Sequence, residues 1–186
     1  MSDLAQACFA SLLLVAAPLS AGTKEKLVPL PSEHRNASEA FRFRTPASWL
    51  VETVRESPEM LEARGDGVLV RFLHRAEEVG YDSLHADCML ERLAEAMETA
   101  PQVSYEYEFV SWEDGPLRAL DSAFSVSYDK PVLGHKQWRQ RTLTVVGDGQ
   151  SLCVITYCPA TQWKKSAETR TVLESVVRSV EFAPWR

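Results

Sequence analysis

Clustered positive charge is what this sequence lacks most. Its 186 residues hold 20 Lys and Arg against 26 Asp and Glu, a formal net charge of −6. Phosphates are gripped mainly by grouped Lys and Arg, so an acidic chain without such a group is a poor nucleic-acid binder. The few basic pairs, such as Lys164-Lys165, sit among polar residues and read as solvated surface. The standard chemical signatures are missing as well. There is no Walker A sequence, complete G-x-G-x-x-G, H-E-x-x-H, C-x-x-C or G-x-S-x-G, and no cofactor is expected. Internal repeats and low-complexity tracts are absent. After the first two dozen residues no apolar run is long enough to cross a bilayer, so no membrane span is expected in the mature chain.

What is present begins with residues 1–22. From Leu4 to Ala21 the chain carries no charge, and Phe9-Ala-Ser-Leu-Leu-Leu-Val-Ala-Ala17 is a short apolar core. Pro18 breaks it, and Ser20-Ala21-Gly22 supplies the small residues a signal peptidase accepts. The pattern resembles a secretory signal. It makes the protein an exported one, periplasmic or extracellular, with a mature start near residue 22 or 23. The alternative is a cytoplasmic protein in which this stretch is a buried helix. Cys8 lies inside the run, where Gln6 is too bulky for a lipid-attachment signal. Cys88, Cys153 and Cys158 then remain, an odd number, so one of them is unpaired within the mature chain.

Residues 23–40 are polar and proline-containing and read as a linker; they include the sequon Asn36-Ala-Ser38. Residues 41–182 read as one domain, with a tail at 183–186. Phe41-Arg-Phe-Arg-Thr45 alternates as a strand and meets Pro46-Ala-Ser-Trp49. One or two short strands follow over 50–63, split near Ser57-Pro58. Arg64-Gly-Asp-Gly67 is a turn, and hairpin chemistry explains its Arg-Gly-Asp triplet better than cell adhesion does. Val68 to His74 is a buried strand.

An N-cap pair, Asp82-Ser83, opens a helix that runs to about Thr99. Ala86, Met89, Leu90, Leu93, Ala96, Met97 and Ala100 share one side of it, and Asp87, Glu91, Glu95 and Glu98 the other. Four strand-like runs follow: Tyr105–Trp112, Leu120–Tyr128, Trp138–Val146 and Ser151–Tyr157. Gly147-Asp-Gly-Gln150 joins the last two as the strongest hairpin signal in the chain. A final helix is predicted over 161–179, with Leu173, Val176, Val177 and Val180 at helical spacing. The expected fold class is α+β: one antiparallel β-sheet flanked by helices.

The opening F-x-F-x-x-P-x-x-W is carried by Phe41, Phe43, Pro46 and Trp49. The closing L-E-S-V-V-R-S-V-E-F is carried by Leu173, Val176, Val177, Ser179 and Phe182. With the order of the elements between them, these motifs resemble the PsbP-like, Mog-type α/β/α sandwich superfamily across roughly residues 41–182. The resemblance implies an antiparallel sheet covered by helices on both faces. It also implies a binding or assembly role, as in photosystem accessory proteins and secretion chaperones. The superfamily carries no shared catalytic motif.

The candidate sites are sparse. His85 and Cys88, three apart on the first helix, have metal-ligand spacing but lack two further ligands. Cys88 falls on the acidic side of that helix, which turns it away from Cys153. Cys153 and Cys158 are five apart on one strand, so they point to opposite faces and read as small core residues. Arg139 and Arg141 share a strand face, and Asp121 lies on the small-residue face of the preceding run. If those strands pair, the three line a shallow polar groove, with Trp112 and Trp138 at its flanks. The alternative is a cross-strand ion pair on an exposed sheet face, with the tryptophans in the core. The function expected is a non-catalytic binding or assembly module outside the cytoplasm, its partner another protein. A cytoplasmic secretion-chaperone-like protein of the same fold is the alternative, and a hydrolase or thiol enzyme with an unfamiliar site a further one.

Overall fold

A computed structural model describes residues 27–55, 57–75, 102–114, 117–147 and 149–184. The residues expected as the signal and as the first helix, with Cys8, His85 and Cys88, lie outside these.

Ten strands and two helices are described. The strands are β1 (Ser32–Arg35), β2 (Phe41–Thr45), β3 (Leu50–Val54), β4 (Ser57–Gly65), β5 (Val68–Arg75), β6 (Gln102–Asp114), β7 (Leu117–Val132), β8 (His135–Gly147), β9 (Gln150–Pro159) and β10 (Glu181–Phe182). The helices are α1 (Ala160–Lys165) and α2 (Ala167–Arg178). All pairing is antiparallel. One sheet was expected, and there are two: a seven-stranded sheet in the order β3-β4-β5-β9-β8-β7-β6, and a three-stranded sheet β1-β2-β10.

The aromatic content of β2 explains the separation. Phe41 and Phe43 are fully buried, and the Phe43 ring stacks on Phe72 of β5 with centroids 3.9 Å apart. β2 therefore packs over the face of the large sheet instead of hydrogen-bonding at its edge. β1 falls in the second half of the stretch expected as a linker. It pairs with β2 because Asn36 builds the turn between them: its Oδ1 accepts the N–H groups of Ala40 (2.8 Å) and Phe41 (3.1 Å), and its Nδ2 donates to Ser38 Oγ (2.6 Å). Asn36 is 3% exposed, so the sequon is a structural turn.

The main core joins this small sheet, one face of the large sheet and α2 through Leu173, Val176 and Val177. The expected final helix is broken at Ser166. That residue is extended (φ −106°, ψ 104°), and its side chain accepts the Thr169 N–H as the N-cap of α2. Glu168 in the first turn and Arg178 in the last complement the helix dipole. Among the described residues, helices cover this one face.

The Arg64–Gly67 turn is a two-residue hairpin with positive φ at Asp66 (53°) and Gly67 (77°). Trp49 closes over it, its indole N–H donating to Asp66 Oδ2 at 2.9 Å. A Cβ on Gly65 would sit 2.3 Å from the Trp49 ring. The Arg-Gly-Asp triplet is thereby accounted for by turn geometry and close packing.

Candidate functional site

Strand alternation divides the residues of β8 between the two faces of the large sheet. Arg139 and Arg141 share a face, as their spacing requires, and that face lies beneath the helices. Both are 8% exposed. The Arg139 guanidinium lies 4.0 Å from the centroid of Trp163 on α1, and Arg141 Nη1 donates to Glu174 Oε2 on α2 at 2.6 Å. Glu174 also accepts from Arg178 one turn on, at 2.6 Å. Burial alone would raise the Glu174 carboxyl. The charge and hydrogen bond of Arg141, with those of Arg178, outweigh it and hold the group below the usual carboxylate range.

Asp121 takes the register position opposite Leu143, two residues along β7 from the Ala123–Arg141 pair. Trp112 on β6 pairs with Ala119. Trp138 belongs to the other face, so the five predicted residues do not form one surface. Arg139 and Arg141 tie the helices to the sheet, and Trp138 leads to a different feature.

That feature is a groove of about 520 Å³ on the face of the large sheet opposite α2. One cross-strand row builds its floor. Leu50 lies opposite Arg64, Arg64 opposite Leu69, Leu69 opposite Tyr157, and Tyr157 opposite Gln140. All five line the groove, one from each of β3, β4, β5, β9 and β8. Val126 and Tyr128 of β7 and the buried Trp138 extend the lining. The Trp138 indole donates to the His135 carbonyl at 3.3 Å, and the two rings meet edge-on at 5.8 Å.

The rim is apolar and exposed. Five large apolar residues are exposed among those described, and three of them, Leu50, Val132 and Leu133, line this groove. Leu133 is the extreme case, 83% exposed at the tip of the β7–β8 hairpin with φ at +47°. Two-residue turns of this kind favour Asn, Asp or Gly where Leu133 sits. A leucine just before Gly134, where the turn calls for Asn, Asp or Gly, is the signal the sequence offers for this rim. Gln140 and Tyr157 gave none, because their partners on the floor are distant in sequence.

The charged groups in this region are internally matched. Glu62 Oε1 accepts from Arg71 at 2.7 Å, Arg71 lies over the Tyr157 ring at 5.4 Å, and Arg64 pairs with Glu52. Gln140 differs. It is 5% exposed, and its Nε2 is buried without a hydrogen-bond partner among the described residues.

The histidines and cysteines that are described have structural surroundings. His74 is buried against Phe41 at 5.7 Å, and its Nε2 lies 3.0 Å from Gln150 Oε1. His34 Nε2 sits 2.9 Å from Thr45 Oγ1, and burial lowers its pKa. Cys158 belongs to the main core, where burial pushes its thiol up to about 11, against a smaller opposing pull from Arg139. Cys153 lies in a separate cluster with Ile155, and no disulfide joins it to Cys158. Among the described residues no three His, Cys, Asp or Glu side chains converge as a metal site would need.

A large antiparallel sheet, a small second sheet and helices packed on one face of the large sheet define an α+β sandwich. Within that class the chain has the fold shared by PsbP and Mog1. The solution structure of cyanobacterial PsbP (CyanoP) from Synechocystis superposes with a TM-score of 0.60 at 10% identity, covering 89% of this chain and 99% of that one. The crystal structure of the Ran-binding protein Mog1p of Saccharomyces cerevisiae gives 0.54 at 13% identity, covering 83% and 96%. No family model matches the sequence, and no curated protein does.

Proposed function

We propose that this chain is a non-catalytic binding module that acts outside the cytoplasm on a protein partner, through the groove framed by Leu50, Val132 and Leu133. The exposed apolar rim carries the reading: three large apolar side chains left in water around a concave floor are unusual unless something covers them. The tightly turned backbone at Leu133 supports it, since a polar residue would satisfy the turn better. That Mog1p, a protein of the same fold, is Ran-binding agrees with a protein partner. The extracytoplasmic location rests on the uncharged, apolar run before Pro18.

A photo-reactive phenylalanine analogue placed at Leu133, compared with one at the exposed Lys164 on α1, tests the groove in cells of the native host. A discrete protein adduct is expected from position 133 and not from 164. Equal adducts, or none from 133, would refute the assignment. Leu133→Asn should leave the melting temperature unchanged or raised while reducing the adduct formed by an analogue at Leu50 at least severalfold. N-terminal sequencing of the protein from its host checks the compartment. A start near residue 22 or 23 is expected, whereas Ser2 at the N-terminus of the folded protein would favour the cytoplasmic, secretion-chaperone-like alternative.

A further inference from the structure

We infer that the outward face of the small sheet docks an acidic, extended segment of a protein partner, held by Arg35, Arg42 and Arg44. The sequence sets these residues apart, and the strand register brings them together. β2 turns Phe41, Phe43 and Thr45 into the core and Arg42 and Arg44 outward. Arg35 of β1 lies directly opposite Arg42, and Glu33 opposite Arg44; Glu181 of β10 takes the other side of Arg42. Every outward side chain of these paired residues is charged. They present three guanidiniums against two carboxylates, in a chain whose net charge is −6. This surface is separate from the groove, which lies on the far side of the large sheet.

Sign and residue type are the first support. Like charges directly opposite one another on neighbouring strands oppose pairing, as Arg35 and Arg42 do. Glu33 relieves them from the middle of the cluster. Its Oε1 accepts from Arg35 at 3.1 Å, and its Oε2 lies 3.5 Å from Arg42 and 3.4 Å from Arg44. The Arg35 hydrogen bond and the three positive charges hold its carboxyl below the usual range. One side chain of the protein thus already shows that the three arginines accept a carboxylate. Arg35 and Arg44 remain 43% and 50% exposed, within reach of a second one. All three cations are Arg, whose planar fork suits carboxylates better than the ammonium of Lys does.

Spacing is the second support. Arg42 and Arg44 are two residues apart on one strand, so their side chains leave the sheet about 7 Å apart. Alternate side chains of an extended peptide repeat at the same interval, so acidic residues at every second position meet both. Arg35 stands across from Arg42, roughly 5 Å to the side, and closes on the same carboxylate. A single phosphate spans less than this row. A nucleic acid needs a broader basic surface than three arginines interleaved with two carboxylates.

The probe is an acetylated and amidated heptapeptide with glutamate at alternate positions. It is titrated at low ionic strength and followed through the Arg Nε–H signals of isotopically labelled protein. Saturable shifts of Arg35, Arg42 and Arg44 are expected, and they should fade as salt is added. The same peptide with lysine in place of glutamate should produce none. Arg44→Gln should bind the acidic peptide about threefold to fivefold more weakly. Glu33→Gln removes the competing carboxylate and should bind it more tightly by a similar factor, whether or not its melting temperature falls. An ordinary surface ion pair would change stability alone, so this gain in affinity is the deciding readout. Absent shifts, unaltered or weaker binding by Glu33→Gln, or equal binding of the lysine peptide would overturn the inference. Inorganic phosphate and anionic phospholipid vesicles are the other arms. If either moves the three arginine signals as strongly as the peptide does, the face is a general anion site and the inference fails. An adduct at position 133 reports on the groove alone and leaves this outcome untouched.

Discussion

Asn36 closes a turn and Glu174 ties a helix to the sheet, each through a few polar atoms. Asn36 satisfies two main-chain donors at the β1–β2 turn while 3% exposed. Asn36→Ala should cost about 1–3 kcal/mol, because those N–H groups would be buried without an acceptor; urea unfolding measures it. Glu174 makes stability depend on pH in a defined direction. Its folded pKa lies below the ordinary carboxylate value, so the stability it contributes is complete above about pH 5 and is lost as pH falls through the folded pKa. Glu174→Gln should therefore flatten the acid limb of a stability–pH curve. It should also lower stability at neutral pH by about 2–3 kcal/mol, since Arg141 remains buried with its principal carboxylate gone. An unchanged acid limb in that variant would contradict the assignment. Alternation in the sequence was enough to put Arg139 and Arg141 on one face. It could not say that the face is covered, because the covering groups, Trp163 and Glu174, lie on helices whose docking is set by tertiary packing.

The same contrast between local and distant causes runs through the elements. The hairpins were legible because each is written in adjacent residues: Gly67 and Gly149 take φ near +75°, a conformation other residues resist. The division of β3 from β4 near Ser57-Pro58, and the strands β2, β5, β8 and β9, followed from alternation and turn residues. The separation into two sheets was not legible, because β2 reads as an ordinary amphipathic strand whether it lies beside the large sheet or over it. The stacking of Phe43 on Phe72 decides that, and it is a contact between sheets. The break at Ser166 was hidden for another reason. No Gly or Pro signals it, and the new start is marked by the extended backbone of Ser166 and its capping hydrogen bond from Thr169, at 3.1 Å. Ser166→Ala should destabilise the protein by about 1 kcal/mol. Chemical denaturation checks the magnitude. Loss of amide-exchange protection confined to the first turn of α2 would place the effect at the cap.

At the scale of the molecule, β2 is clamped between the beginning and the end of the described chain. β1 lies on one side of it and β10 on the other, and the Ala183 N–H donates to the Ala40 carbonyl at 2.9 Å. The Val28 N–H reaches the Ser175 hydroxyl, 147 residues away, at 2.9 Å. Removing residues 180–186 should therefore do more than trim a tail. It strips Val180 and Phe182 from the core beside Phe41, and calorimetry should show a lowered or broadened transition. A truncated protein with the full-length melting temperature would show the clamp to be dispensable. The order of synthesis gives this arrangement a further meaning. A ribosome delivers β2 early and its partner β10 last, so the small sheet cannot close over the core until the C-terminal residues have emerged. During that interval Phe41 and Phe43 lack the part of their packing that Val180 and Phe182 supply. On the export proposed above, a closure that waits for β10 would act as a timer for folding.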